Sequence, residues 1–193
     1  MKIHDSGMPE QAYWDGLFDH DAILGWMGFS ARPERVVEVG CGYGSFTLPI
    51  ALLQKETGGR VIAFDIEQDM LDTTRQNLHK ADLENVYLVL RDVLAQGSGL
   101  EDNSVDRVLM FNILHFAERR LLLAEAARIL KPGGELDILH WRKDIDTPRG
   151  PEVETRPDTQ SILQAANGLN LEQKEKALIL PPYHWGMKLR KSS

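Results

Sequence analysis

The chain has 193 residues, 42% of them hydrophobic and 26% charged, which fits one domain with a sizeable core and excludes a disordered or fibrous protein. Its formal net charge of −7 argues against a broad nucleic-acid surface, and its single cysteine excludes an internal disulfide and a cysteine-built zinc site. No apolar run approaches the ~18 residues of a membrane span, and the N-terminus lacks the layout of a signal peptide, so we expect a cytoplasmic protein.

Residues 1–33 are predicted to form an N-terminal helical cap, followed by one globular domain over residues 34–193. Apolar and aromatic side chains are frequent in residues 8–28. This pattern indicates one or two short helices that cover one edge of a sheet.

A strand, a glycine turn and a helix are predicted from residue 36 onward. Residues 36–44 have the sequence V-V-E-V-G-C-G-Y-G, an apolar run typical of a buried parallel strand, ended by three glycines. Glycines allow a sharp turn that approaches a ligand closely. Residues 45–55 have helical apolar spacing, with Ser45 as a candidate N-cap. Together these elements predict the ligand-binding start of a doubly wound α/β sheet.

The motif over residues 38–44 resembles the first motif of the class I S-adenosylmethionine-dependent methyltransferases. The resemblance implies S-adenosylmethionine as cofactor and assigns its binding to Glu38, Gly40, Gly42 and Gly44. In similar methyltransferases the segment before the first strand often closes over the cofactor, which would place Tyr13 and Trp14 over the ligand. A dinucleotide-binding turn of the form G-x-G-x-x-G would instead require glycine at Ser45.

An acidic residue ends the second predicted strand, residues 61–64. In doubly wound folds an acid at this place accepts hydrogen bonds from ribose hydroxyls. Asp65, together with the adjacent Ile66, is therefore a candidate for the cofactor site. The alternative role for Asp65 is to cap the helix that follows.

A second acid follows the third predicted strand, residues 86–90, at the same edge of the sheet. The resemblance implies that Asp92 faces the exocyclic amine of adenine, with the backbone of Val93 nearby. The alternative is a solvated loop acid.

The fourth predicted strand, residues 106–111, begins with the family's D-x-V pattern. The segment Phe111-Asn112-Ile-Leu-His115 corresponds to the family's segment at the ligand-binding edge, with Phe116 in place of a second histidine. The resemblance implies that Phe111 and Asn112 lie at the cofactor. The sequence L-K-P-G-G at residues 130–134 also matches the family, although it is an ordinary helix stop as well.

The remaining chain predicts a fifth strand (135–141), a polar loop (142–158), a helix (159–169) and two strands (171–180 and 183–191). The whole pattern indicates a three-layer α/β/α domain with a doubly wound seven-stranded sheet whose last strand is antiparallel. The polar loop and the N-terminal helices are expected to shape the pocket for a second substrate.

Two histidines end the fourth and fifth predicted strands. His115 and His140 are therefore predicted to project from the ligand-binding edge, where a near-neutral pKa would suit proton transfer. Structural hydrogen bonding is the alternative for each. No nucleophile–base–orienter triad and no metal-ligand spacing is evident, so no metal site is expected.

These features lead to the hypothesis of a methyltransferase that acts on a small molecule, with no nucleic-acid or membrane partner. One alternative is methylation of RNA or protein, with Arg142, Lys143 and Arg149 as contacts. Another is a non-catalytic module that binds S-adenosylmethionine or a nucleoside for regulation. The glycine spacing disfavours a nicotinamide oxidoreductase. The sequence gives no indication of the oligomeric state.

Overall fold

The structure, a computed structural model, describes residues 7–192, in which strands and helices alternate. Two short helices, α1 (Gln11–Asp15) and α2 (His20–Met27), precede the first strand. The later helices are α3 (Thr47–Thr57), α4 (Gln68–Lys80), α5 (Val93–Gln96), α6 (Arg119–Ile129) and α7 (Thr159–Ala166). The strands are β1 (Arg35–Val39), β2 (Arg60–Asp65), β3 (Val86–Leu90), β4 (Val105–Phe111), β5 (Leu130–Trp141), β6 (Leu171–Gln173), β7 (Leu178–Leu180) and β8 (His184–Lys191).

The eight strands of the described residues form one sheet. The first five are parallel, in the order β3-β2-β1-β4-β5. β8 pairs antiparallel with β5, and β6 and β7 both pair antiparallel with β8. The strand order reverses between β1 and β4, and doubly wound sheets bind ligands in the crevice at such a point. The predicted doubly wound sheet with an antiparallel last strand is therefore confirmed.

The sheet has eight strands instead of seven because the predicted strand over residues 171–180 is divided. β6 ends at Gln173 and β7 begins at Leu178. Between them Lys174-Glu175-Lys176 is exposed, because charged side chains keep their ionised ends in water. β5 also begins earlier than predicted, because Leu130 already pairs with Val105 before a register shift in β4.

Helices cover both faces of the sheet, because successive strand residues point to opposite sides. Val108 of β4 belongs to the core that includes Leu123 of α6. The next residue, Leu109, belongs to the core that includes Ile50 of α3 and Ile23 of α2. This is the predicted three-layer arrangement, with the N-terminal helices packed on the same face as α3.

A buried cluster of charges attaches the C-terminal end of α2 to the sheet. Arg107 donates from Nε to Glu34 (2.8 Å) and from Nη1 to Asp137 (2.6 Å). Arg107 and Lys188 also donate to the main-chain carbonyl of Met27, at 3.1 and 2.7 Å. The last carbonyls of a helix lack partners inside the helix and carry partial negative charge, so two cations at this end stabilise it.

Candidate functional site

The glycine turn after β1 has the conformation that its sequence predicts. Gly40 and Gly44 have φ values of +78° and +80°, which favour glycine. A Cβ atom at Gly44 would lie 2.7 Å from Leu48 and 2.8 Å from Thr74, so this glycine lets α3 and α4 approach the turn. The N–H groups of Gly40 and Cys41 both donate to the carbonyl of Phe64, which fixes the turn to β2.

Asp65 connects the glycine turn to the start of α4. Its Oδ2 accepts from the N–H of Gly42 (2.8 Å) and its Oδ1 from the N–H of Glu67 (2.9 Å). Burial raises the pKa of this carboxyl above its ordinary value. Asp65 is therefore a positioned acceptor at the carboxyl end of β2.

Glu38, in β1, is a buried carboxyl group with one hydrogen-bond donor. The hydroxyl of Thr47 donates to its Oε2. Burial, with a smaller contribution from the nearby charge of Asp65, raises the pKa of Glu38 to about 8. At neutral pH the Glu38 carboxyl is mostly protonated.

Asp92 follows β3 and acts as the N-cap of α5. Its side chain accepts from the N–H of Ala95 at 3.0 Å. The neighbouring Arg91 donates from Nε to the carbonyl of Gly97 (2.6 Å), so both ends of this short helix are held by side chains. Asp92 is thus a half-buried acid that caps a helix, and its contact with the cofactor stays a prediction.

Asn112 and His115 lie beyond the end of β4. Asn112 has a φ of +59°, and its N–H donates to the carbonyl of Leu139 at 2.8 Å. Its amide Nδ2 lies 3.3 Å from Nε2 of His184, whose pKa burial lowers to about 3. The Nδ1 of His115 lies 3.2 Å from the carbonyl of Asn112. A carbonyl only accepts, so Nδ1 carries the proton and the lone pair of a neutral His115 lies on Nε2.

His140 does not project from the ligand-binding edge as the sequence analysis predicts. It is fully buried in β5, with its ring 6.0 Å from that of His115 and 6.3 Å from that of Trp185. Burial holds the pKa of His140 well below its ordinary value. The physical reason is that His140 lies one residue before the end of β5, where its ring packs beside Trp185 of β8 in the core.

One cavity of about 390 Å³ lies at the carboxyl ends of β1 to β5. Ten of the predicted site residues line it: Glu38, Gly40, Gly42, Asp65, Ile66, Asp92, Val93, Phe111, Asn112 and His115. Two predicted residues do not, His140 and Gly44. Gly44 packs against α4 beneath the turn, so helix packing explains why the motif has a glycine at this position.

Other residues line the opposite side of the cavity, and of these the sequence analysis named only Trp14, as a residue over the ligand, and Arg149, as a contact for RNA or protein. They come from the N-terminal segment, the start of α3, the end of β5 and the loop after it: Met8, Trp14, Phe18, Phe46, Trp141, Arg149, Gly150 and Pro151. Trp141 is the last residue of β5, as Asp65 is the last residue of β2. Its place at the end of a strand could therefore have identified Trp141 as a residue that lines the cavity. Of the two aromatic residues expected over the ligand, Trp14 lines the cavity, whereas Tyr13 is 46% exposed and does not.

Three hydrogen bonds fasten the N-terminal segment around the cavity. The Tyr43 hydroxyl donates to the carbonyl of Pro9, and the Ser45 hydroxyl donates to Asp15. Arg149 donates to the carbonyl of Gly7. Ser45 is therefore not the N-cap of α3, which begins two residues later at Thr47.

Residues 7–192 contain no candidate metal site and no candidate membrane-spanning helix. No group of three or more His, Cys, Asp or Glu side chains in that range is placed to hold a metal ion. No helix in the same range is long and apolar enough to cross a membrane.

Comparison with known proteins identifies relatives of this chain. The methyltransferase domain family matches residues 37–138. The ubiquinone/menaquinone biosynthesis C-methyltransferase UbiE of Erwinia tasmaniensis is 34% identical over 114 residues, which cover 58% of this chain and 44% of UbiE. The methyltransferase GfsG of Streptomyces halstedii is 33% identical over 107 residues, 54% of this chain and 37% of GfsG. The chain spans about half or less of the length of the curated relatives it matches.

A solved structure shows the same fold over nearly the whole chain. A SAM-dependent methyltransferase from Aquifex aeolicus superposes with a TM-score of 0.79 at 23% identity, covering 94% of each chain.

Proposed function

Because the chain belongs to the family of class I S-adenosylmethionine-dependent methyltransferase domains, we propose that it transfers a methyl group from S-adenosylmethionine to a small-molecule acceptor. The observation that carries this proposal is the cavity at the carboxyl edge of the sheet, which the glycine turn lines together with Glu38, Asp65 and Asp92 from the ends of three neighbouring strands. The relatives UbiE and GfsG are a ubiquinone/menaquinone biosynthesis C-methyltransferase and a methyltransferase, respectively.

The residues on the β1–β3 side of the cavity suit the cofactor. Asp65, Asp92 and Val93 all line the cavity, which supports the proposal that Asp65 accepts from ribose hydroxyls and that Asp92, with the backbone of Val93, binds the adenine. A Cβ atom at Gly42 would lie 3.2 Å from Met8, so only glycine leaves the backbone of the turn open there. When bound, S-adenosylmethionine supplies a sulfonium-activated methyl group.

The residues on the β4–β5 side suit a small acceptor. The rings of Trp14, Phe46 and Trp141 line this part of the cavity, and the N-terminal segment and Arg149 enclose it. Such walls exclude water and hold an acceptor in one orientation, and orientation can contribute on the order of 7–11 kcal/mol in favourable intramolecular models. Docking of RNA or a folded protein would require a more open surface.

We assign the role of general base, where the acceptor needs one, to His115. Its Nδ1–H is held by the carbonyl of Asn112, so Nε2 carries the lone pair that accepts a proton. His115 lines the cavity. His140 lies behind it, and its buried neutral ring supports the wall without touching the cavity.

The test is cofactor binding followed by turnover. The purified chain is titrated with S-adenosylmethionine by calorimetry and then incubated with a fractionated metabolite extract, and formation of S-adenosylhomocysteine is measured by mass spectrometry. We expect binding and at least one fraction that supports product formation. Binding without product in any fraction would favour the non-catalytic module, and absence of binding would contradict both.

A further inference from the structure

The ionisable groups that line the cavity are separated between its two sides. Among the described lining residues, the three carboxyl groups (Glu38, Asp65 and Asp92) lie at the ends of β1, β2 and β3. Two guanidinium groups also line it. Arg91 lies next to Asp92 and is engaged by the carbonyls of α5, whereas Arg149 lies in the loop after β5. The acceptor side therefore has a cation and no lining carboxylate.

Arg149 differs from the other basic residues of its loop. Arg142 pairs with Asp144, and Lys143 pairs with Asp158. Arg149 has no such ion pair within the described residues, where its side chain makes one hydrogen bond, from Nη2 to the carbonyl of Gly7. A guanidinium has five N–H donors, so most of the hydrogen-bonding capacity and the whole charge of Arg149 remain for a ligand.

The loop around Arg149 is built to a fixed shape. Buried Arg156 donates to the carbonyls of Pro151 (2.9 Å) and Arg142 (2.7 Å), and the Thr147 hydroxyl donates to the carbonyl of Arg149 (2.7 Å). A Cβ atom at Gly150 would lie 3.0 Å from Cγ of Trp141, so the backbone rests directly on that ring. The backbone at Arg149 is thus held by the fold, next to the contact between Gly150 and Trp141, and both Arg149 and Trp141 line the cavity.

We infer that the acceptor is a ring-bearing molecule with a carboxylate group, and that Arg149 binds this carboxylate while the aromatic walls hold the ring. The inference rests on the proposed function, since it concerns the acceptor side of the same cavity. Arginine matches a carboxylate with two parallel hydrogen bonds, and aromatic side chains favour flat apolar bodies. An anion also satisfies a cation that the protein itself leaves without an ionic partner.

The experiment measures binding and needs no methyl transfer. The full chain is titrated by calorimetry with benzoate, 2-naphthoate and indole-3-acetate and with their neutral primary amides, in the presence and absence of S-adenosylhomocysteine. We expect at least one carboxylate to bind about tenfold or more tightly than its amide, since an ion-paired hydrogen bond to arginine exceeds a neutral one. In Arg149→Gln this preference should fall to about twofold or less, and Arg149→Lys should keep part of it.

Arg142→Gln is the matched control, because Arg142 lies in the same loop, pairs with Asp144 and does not line the cavity. It should keep the preference for carboxylates. The inference is overturned if the wild-type chain binds no carboxylate of the panel more tightly than its amide, or if Arg149→Gln keeps the preference. It is also overturned if Arg149→Gln weakens only S-adenosylhomocysteine binding, which would assign Arg149 to the cofactor's own carboxylate. Failure of the wild-type chain to bind S-adenosylhomocysteine would instead contradict the proposed function.

Discussion

Asp65 holds the glycine turn in place and faces the cavity with the same carboxylate. Each of its oxygens accepts one backbone hydrogen bond, from Gly42 and from Glu67. A carboxylate oxygen has two lone-pair sites, so each retains one for a ligand. The two roles suggested by the sequence, ligand contact and local capping, are thus compatible in one side chain.

We expect Asp65→Ala to weaken S-adenosylmethionine binding by about 1.5–3 kcal/mol, because it removes a charge-assisted acceptor. Asp65→Asn should lose less, because its amide keeps one oxygen. Calorimetric titration measures both. Asp69→Ala, which removes an exposed acid from the first turn of α4, is the control. Unchanged affinity in both Asp65 variants would refute the assignment.

Glu38 should make the stability of the protein depend on pH. Burial raises its pKa from 4.5 to about 8, so between these values the folded protein binds more protons than the unfolded chain. The stabilising contribution is complete below the unfolded pKa and is lost as pH rises through the folded pKa. The free energy of unfolding therefore falls with increasing pH in this window, at most by about 1.4 kcal/mol per pH unit.

Glu38→Gln should flatten this pH dependence, because an amide is neutral throughout. Urea unfolding at about pH 5, 6.5 and 8 measures the slope for each variant. Glu56→Gln, at an exposed position of α3, should keep the wild-type slope. If the wild-type and Glu38→Gln slopes coincide, Glu38 ionises normally in the folded protein.

Substitution of His115 and substitution of the exposed His79 should have different effects on turnover. His115→Ala should lower turnover of the acceptor by about 10²–10⁴-fold, with little change in cofactor affinity, because it removes the proposed base. His79→Ala, on the exposed side of α4, should leave turnover unchanged. Nearly full turnover in His115→Ala would show that orientation alone carries the reaction, as is possible for an acceptor that is already deprotonated.

At the scale of elements, α2 depends on charged residues of the sheet. Arg107→Met leaves Glu34 and Asp137 buried without their partner and removes one donor from the carbonyl of Met27. We expect it to lower the free energy of unfolding by about 3–5 kcal/mol, the cost of breaking a buried ion pair. Urea unfolding provides the measurement.

The control is Arg75→Met, because the Arg75 side chain is 57% exposed in its pair with Asp72. Its substitution should lower the free energy of unfolding by at most about 1 kcal/mol. Equal losses in the two variants would rule out this role of Arg107.

The elements that the sequence predicted well are those with a strong local signal. The first strand, the glycine turn and Asp65 lie where the pattern predicts, because an apolar run and a glycine cluster determine the backbone locally. Ser45 failed as a helix cap because Asp15, 30 residues away, takes its hydroxyl. The sequence also does not predict the break between β6 and β7. The alternation of residue types does not show which charged residues of a predicted strand lie away from the apolar core in the folded protein.

At the scale of the molecule, the sequence predicts which residues line the proposed cofactor side of the cavity better than which line the proposed acceptor side. Parallel strands bring their carboxyl ends to one edge, so acids that end successive strands can be placed together from sequence alone. Arg149 has no such signal, because it lies in the same polar loop as Arg142 and Lys143. In the folded chain Asp144 pairs with Arg142 and Asp158 pairs with Lys143, and this distinguishes those two residues from Arg149.

The division between β6 and β7 also has a consequence for self-association. These strands form one outer edge of the sheet, where an unpaired row of N–H and C=O groups could recruit a strand from another molecule. Each is only three residues long, and the exposed segment Lys174-Glu175-Lys176 separates them. A continuous strand from residue 171 to 180 would offer a long template for intermolecular pairing. The interrupted edge offers two short ones flanked by charge, which protects this side of the protein from edge-to-edge aggregation.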